Sequence, residues 1–373
     1  MTTIPLLVPR MPDTDRLIPY LRQIDQNRLY TNFGPLSREL ERRLVDDLDG
    51  DSSTHVTTVS NCTVGLELAL QACGLEQGAR VLIPAITFVA TATAVIRVGM
   101  VPVLSDVATD SWLLSPELAR HALKQGRIDA VMPVATFGCP HDMEQWDAFI
   151  QETGIPVIID AAGAYGNQKV GGRADVVFSF HATKSFGAAE GGAVFSSDPK
   201  RILAIRQLAN FGIDTSIAQL VGFGTNGKMS EYHCAIGLAS FDEWEETKRE
   251  RRSLHRRYSD ALHRACPTVR FQSKPSDGIY PLLPVLLPEG VSAADVSQAL
   301  SRAKIETRRW YSPGLHTHPA LRDAPRSGSL TVADDIGTRI LGLPFFINIS
   351  DEQINRVCSE LSQALATTTE TMR

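Results

Sequence analysis

Between about Leu36 and Ser196, short apolar runs alternate with amphipathic stretches, and this rhythm leaves few architectures open to the chain. SRELERRLVDDL carries apolar residues at helical spacing, and TVGLELALQAC, Thr63 to Cys73, reads as a buried helix stopped by Gly74. ARVLIP is a short strand closed by proline, Phe88 to Val98 a helix, and VPVLSDV a strand. SPELARHAL opens a helix with Ser115 as N-cap and Pro116 in the first turn. DAVMPVATFG is a strand, DMEQWDAFIQETG a helix and IPVIID a strand. Strands separated by helices pair in parallel and need cover on both faces. The expected fold is α/β, a mostly parallel, doubly covered sheet that takes ligands at the carboxyl ends of its strands.

From Met229 to about Cys266 the spacing predicts one long charged helix. Its basic cluster, Lys248 to Arg257, follows acidic Glu243 to Glu246 and reads as a solvated face rather than a nucleic-acid contact. A smaller α/β segment follows, with IYPLLPVLLP as a strand and SAADVSQALSRA and DEQINRVCSELSQAL as helices. The expected division is a large domain over residues 1–245, with an N-terminal arm, and a small domain over 246–373. A formal net charge of -5 gives no basic field for nucleic acid or an anionic membrane. MTTIPLLVPRMPDTD lacks the apolar core of a signal peptide, and no apolar run approaches the roughly 20 residues of a spanning helix. The cysteines Cys62, Cys73, Cys139, Cys234, Cys266 and Cys358 are scattered without a CxxC pair, as in a reduced cytoplasmic protein without structural zinc.

The chemistry concentrates in VIIDAAGAYGNQKVGGRADVVFSFHATKSFGAAEGGAVFS, Val157 to Ser196. Asp160 ends one apolar strand, and Lys184 follows another, VVFSF, among His181, Thr183, Ser185 and GAAEGG. Taken singly, Lys184 is a surface lysine and Asp160 a helix or turn cap. Together they suit pyridoxal phosphate (PLP): the amine holds the aldehyde as a Schiff base, and the aspartate keeps the pyridine nitrogen protonated. A carboxylate buried behind VII also needs a cationic partner. Ser60-Asn61-Cys62-Thr63 precedes a helix, where free N–H groups and the Thr63 hydroxyl suit a phosphate, with Asn61 or Thr63 able to cap as well. Ser179 is a second phosphate donor, and Phe88 is an aromatic placed to lie on the ring or in the core.

Other motifs carry less. GFGTNG, Gly222 to Gly227, matches G-x-G-x-x-G, but FGIDTSIAQLV before it is loop-like and no strand follows the next helix. A glycine-rich loop crossing a dimer interface fits better. Cys139, His141 and Asp142 read as a turn with Asp142 capping the next helix. His316 and His318 lack a third metal ligand and read as a loop near substrate.

Taken together these segments resemble the PLP-dependent sugar aminotransferases of the DegT/StrS type, which have the type I aminotransferase fold, over nearly the whole chain. VSNCTVGLELALQACGL is similar to their SNGTxALxLAL helix, and VIIDAAGAYGN to EDAAQAxG. FSFHATKSFGAAEGGAV is similar to FSFxxTKxxxxGEGGA, and GTNGKMSEYHCAIG to N-x-RM-E-x-AAIG. YTNFGP, TFVATATA, RRWYSPGLHTHPAL and ILGLPFF match further motifs. The resemblance implies Lys184 as the Schiff-base lysine, Asp160 as the pyridine partner, Phe88 as the stacking ring, and Cys62, Thr63 and Ser179 at the phosphate. It implies that Asn226 reaches the neighbouring subunit's phosphate, hence a homodimer with shared active sites. Gly163 stands where the family has a ring-contacting Gln or His, Cys62 replaces a glycine, and Lys228 replaces an arginine. The related dehydratases carry histidine in place of Lys184. The resemblance therefore implies amino transfer from L-glutamate to a nucleotide-linked keto-sugar, such as a dTDP-4-keto-6-deoxyhexose. A sugar dehydratase, a cyclitol aminotransferase and a silent PLP-fold regulator are the alternatives. Tyr30, Asn32, Arg309, Tyr311 and His316 are candidates for holding sugar or nucleotide.

Overall fold

The computed structural model describes residues 2–48, 50 and 52–371. Seven strands build the main sheet: β1 (His55–Val59), β2 (Arg80–Pro84), β3 (Val101–Ser105), β4 (Ala130–Val131), β5 (Ile158–Asp160), β6 (Asp175–Ser179) and β7 (Gly192–Ser196). β2 pairs in parallel with β3 and β4, and β5 in parallel with β6. Parallel bridges Val131–Val157 and Val134–Asp160 join these groups across β4 and β5. The resulting order is β1-β7-β6-β5-β4-β2-β3, with Arg326–Ser327 added in parallel on the β3 edge. Only β7 runs against its neighbours, β6 and β1.

Alternate strand residues feed two cores, as a sheet covered on both faces requires. Val81, Ile83 and Val177 enter one, and Leu82, Val176 and Phe178 the other. Helices start where the sequence places caps. Asn61 accepts from the Val64 N–H, Ser115 from Leu118, and Asp142 from Glu144 and Gln145. The helix Cys62–Ala72 lies hard against the sheet at Gly65, where a Cβ would come within 2.9 Å of Val177 Cγ1.

The single helix expected over Met229–Cys266 is two helices, Glu231–Asp242 and Trp244–Ala265, broken at Glu243. The break drives Trp244 into an aromatic cluster with Tyr165 and Phe186, ring centroids 5.5 and 5.4 Å away. Removing a buried tryptophan costs about 3–5 kcal/mol, more than a few helical hydrogen bonds return. The basic run in the second helix is only partly solvated, because Arg251 and His255 are buried. FGIDTSIAQLV carries a two-residue hairpin, Ile213–Asp214 with Gln219–Leu220, and no buried strand.

A third core gathers around the antiparallel pair Leu283–Leu286 and Ile340–Leu343, with helices Ala293–Arg302 and Asp351–Thr371 and the second half of Trp244–Ala265. Ile4 joins it through a bridge to Ile305. Leu315, Leu330 and Ile336 pack back onto the first core. Among the described residues no helix is long and apolar enough to cross a membrane.

Candidate active site

β5 and β6 deliver the two central groups to the carboxyl edge of the sheet. The chain leaving β6 folds back into a tight loop that carries Lys184. Phe180 N–H donates to Gly191, Ala182 N–H to Ala189, and Lys184 N–H to the His181 carbonyl at 2.9 Å. His181 Nδ1 meets the Thr183 hydroxyl at 2.9 Å. From behind, the Arg251 guanidinium donates to the Tyr280 carbonyl at 3.3 Å and to the Lys184 carbonyl at 3.5 Å. Burial lowers the Arg251 pKa to about 10.

Asp160, at the end of β5, is 4% exposed. Its Oδ2 accepts the Thr91 hydroxyl at 2.8 Å, and its Oδ1 the Ala162 N–H at 3.2 Å. Cys62 Sγ lies 3.9 Å from Oδ1 and 3.9 Å from the Val177 carbonyl. These donors are neutral. Burial pushes the Asp160 carboxyl above its ordinary pKa, against the pull of Thr91, Ala162 and the charge of Lys184. Burial, with Asp160 close by, holds the Cys62 thiol well above its usual range. Lys184, Asp160 and Cys62 thus share one electrostatic neighbourhood.

The candidate phosphate site lies beside them. Asn61 caps only Val64, and no intrahelical carbonyl reaches the Cys62 and Thr63 amides. β7 brings Gly192 so close that a Cβ there would sit 3.0 Å from Cys62 N and 2.6 Å from the Phe178 carbonyl oxygen. Gly192 is paired with Ser179, so Ser179 comes to the same helix N-terminus.

The aromatic wall is formed by Phe88, Tyr311 and Phe137. Phe88 N-caps the helix Val89–Arg97 and is 58% exposed, with the Tyr311 ring 6.1 Å away. Tyr311 stacks on Phe137 at 5.3 Å and 4°. Burial, then the charge of Asp160, pushes the Tyr311 hydroxyl above its ordinary pKa. Gly163 is not demanded by packing: a Cβ there would meet nothing closer than Gly138 N at 3.5 Å.

The other candidates have other partners or face solvent. Tyr30 is half exposed and stacks on Tyr232. Asn32 and Arg309 are exposed. His316 is buried, with Nε2 on Asp334 Oδ1 at 2.7 Å. Asn226 is exposed next to Gly227, whose carbonyl accepts from Ser60 N–H. Lys228 donates to Asn210 Oδ1 and lies 4.7 Å over the Phe211 ring. Among the described residues no group of three or more His, Cys, Asp or Glu side chains is placed to hold a metal ion. Sequence reasoning missed Thr91, which reads as an ordinary helical threonine, and Arg251, hidden in a charged run.

A lysine amine, a buried carboxylate with only neutral donors, free amides at a helix start and an exposed aromatic face fit a phosphorylated pyridine aldehyde. Residues 13–362 match the model of the DegT/DnrJ/EryC1/StrS aminotransferase family. The chain belongs to this family. It is a PLP-dependent aminotransferase. The enzyme is 29% identical over 366 residues to a dTDP-4-amino-4,6-dideoxy-D-glucose transaminase of Escherichia coli, covering 95% of this chain and 97% of that one. It superposes with TM-score 0.91 and 30% identity on a Bacillus cereus ATCC 10987 structure assigned as a PLP-dependent aminotransferase, covering 97% of this chain and 100% of that one. The structure of DesI with its TDP-sugar product gives TM-score 0.88 at 32% identity, covering 100% and 96%.

Proposed function

We propose that this aminotransferase transfers the amino group of L-glutamate to the ketone of a nucleotide-linked sugar, a 4-keto-6-deoxyhexose on dTDP. The juxtaposition of Lys184 with buried Asp160 carries the reading. The E. coli transaminase and the TDP-sugar product bound to DesI support the substrate class.

PLP, when bound, carries the amino group between substrates and delocalises the electron pair released at the reacting carbon. Lys184 Nζ holds the aldehyde end and, once freed by the incoming amine, takes and returns the proton at the reacting carbon. Asp160 keeps the pyridine N–H in place as an anion at its base. The Cys62 and Thr63 amides, the Thr63 hydroxyl and Ser179 hold the phosphate. Phe88 covers one ring face, and Gly163 leaves the ring edge open. Tyr311 bounds the sugar side, with Arg309, Tyr30, Asn32 and His316 in the surrounding nucleotide and sugar region. Lysine rather than histidine at position 184 favours amino transfer over dehydration.

A second copy of the chain completes the site. The hairpin region exposes Phe211, Ile217, Leu220, Val221 and Phe223, the last 90% exposed, immediately before Asn226. Covering that face in a homodimer brings Asn226 to the partner's phosphate. We assign residues 1–245 to a cofactor-binding domain and 246–373 to a small domain, a division that the third core supports. Six free cysteines are in keeping with a reducing cytoplasm.

The test is spectroscopic. Glutamate should convert the visible absorption band of the holoenzyme to that of the amine form, and a panel of nucleotide-linked ketones should restore it. Lys184→Ala should lose the covalent band and turnover together. A fully active Lys184→Ala enzyme would remove the assignment.

A further inference from the structure

Within the helix Val89–Arg97 two threonines behave differently. Thr93 does what a helical threonine ordinarily does, its hydroxyl donating to the Val89 carbonyl four residues back at 2.8 Å. Thr91 reaches instead across 69 residues of sequence to Asp160 Oδ2, also at 2.8 Å. Thr87 Oγ1 lies 3.0 Å from Thr91 Oγ1. Thr87 and Thr91 are 3% and 0% exposed, so solvent supplies neither with a partner.

The direction of these bonds follows from valence. A carboxylate only accepts, and each hydroxyl has one proton to give. Thr91 spends its proton on Asp160, so Thr87 must donate to Thr91. With Asp160 an anion the order is Thr87→Thr91→Asp160, and a proton on Oδ2 would reverse it. We propose that Thr87 and Thr91 form a one-way hydroxyl relay that orients the Asp160 carboxylate and keeps it charged beneath the cofactor ring.

The relay rests on the reading of Asp160 as the pyridine partner, and it makes Thr91 a positioning residue. The other groups facing the carboxylate are Ala162 N–H and the Cys62 thiol, with the charge of Lys184 and the neutral Tyr311 hydroxyl close by. Burial works against the anion, and Thr91 is the strongest single influence in its favour. Lys184 serves Asp160 by charge alone and is committed to the aldehyde in the holoenzyme. A donor that the chemistry does not consume must therefore stay on Oδ2 through the reaction, and Thr91 is that donor.

The test compares Thr91→Val, which keeps shape and removes the proton, with Thr91→Ser, which restores it, and with Thr87→Val. Apoenzyme is titrated with PLP to give the cofactor dissociation constant, and ring-nitrogen-labelled PLP reports protonation by nitrogen NMR. A hydrogen bond to a charged group corresponds to a roughly ten- to hundredfold change in binding. Thr91→Val should weaken PLP binding by about tenfold or more and move the nitrogen resonance toward the unprotonated position. Thr91→Ser should stay near wild type, and Thr87→Val should show a smaller change in the same direction. Wild-type affinity and resonance in Thr91→Val would overturn the relay. Should Thr91→Val not fold, Thr87→Val decides, and an unchanged resonance and affinity there overturns it too. An unprotonated ring nitrogen in the wild-type holoenzyme would instead remove the Asp160 reading itself, whatever the threonine variants do.

Discussion

Gly192 links the sheet to the anion end of the site, and Gly192→Ala tests that link. A Cβ at 192 would lie 2.6 Å from the Phe178 carbonyl oxygen, 3.0 Å from Cys62 N and 3.1 Å from Asn61 C. Ordinary carbon–oxygen contacts between strands are about 3.3–3.6 Å, so the backbone must open by roughly 0.7 Å or more. All three obstacles are main-chain atoms, and no side-chain rotation relieves them. The Phe178 contact strains the β7–β6 pairing itself, while the contacts with Cys62 N and Asn61 C are relieved most softly by outward movement of the Cys62 amide, because β7 is held on both sides by β1 and β6. Overpacking of this kind costs about 1–3 kcal/mol. If that cost falls on the phosphate amides, PLP affinity drops by a factor of several to about a hundred, at tenfold per 1.4 kcal/mol. The assay is equilibrium titration of apoenzyme with PLP, with thermal melting in parallel. Gly34→Ala is the control. Its Cβ would strike the Glu231 carboxyl at 2.6 Å, where that carboxylate accepts the Leu36 and Ser37 N–H groups at a helix start. Gly34→Ala should lower the melting temperature and leave PLP affinity alone. Wild-type PLP affinity in Gly192→Ala would refute the argument.

Acid should destabilise the fold through His141. Its Nδ1 accepts the Trp146 indole N–H at 3.3 Å, and burial lowers its pKa to about 4 from an ordinary 6.5. The unfolded chain binds a proton between those values that the folded chain refuses. Stability is therefore lost as pH falls from 6.5 toward about 4, by roughly 3 kcal/mol from this group, and levels off below. Denaturant unfolding across that window should show the slope flattened in His141→Asn; an identical slope would discard the account. Phe223→Asp with Leu220→Asp should shift sedimentation from dimer to monomer and weaken PLP binding, since the exposed apolar face that the proposed dimer would cover precedes Asn226. A wild-type chain that sediments as a monomer at micromolar concentration contradicts the shared site.

What the sequence discloses depends on whether a signal is local. Asn61, Ser115 and Asp142 are legible as caps because a cap acts within three residues. The strand ends bearing Asp160 and Ser179 are legible because fully buried strands read as unbroken apolar runs. The glycine motif at Gly222 is set aside correctly because a dinucleotide site needs a buried strand before it, and only an exposed two-residue hairpin is there. The break at Glu243 is illegible for the opposite reason. Nothing nearby interrupts the helical pattern; Trp244 is pulled out of line by Tyr165 and Phe186, about 80 and 60 residues away along the chain.

Arg251 and Thr91 show the same limit at the site. An arginine in KRERR reads as solvated until the Tyr280 and Lys184 carbonyls, 29 and 67 residues distant, are brought against it. A threonine in TATAV reads as helix filler until a carboxylate from another strand takes its proton. In both cases the residue type is polar, the local pattern is neutral, and burial alone creates the demand for a partner. Buried polar groups are hydrogen-bonded or they are costly. A polar side chain that tertiary structure buries next to a reactive lysine or its carboxylate is therefore tied to that group's position. By this reasoning the proposed pair of Lys184 and Asp160 is visible in its motifs, while the residues that hold the pair still become visible only when the chain has folded.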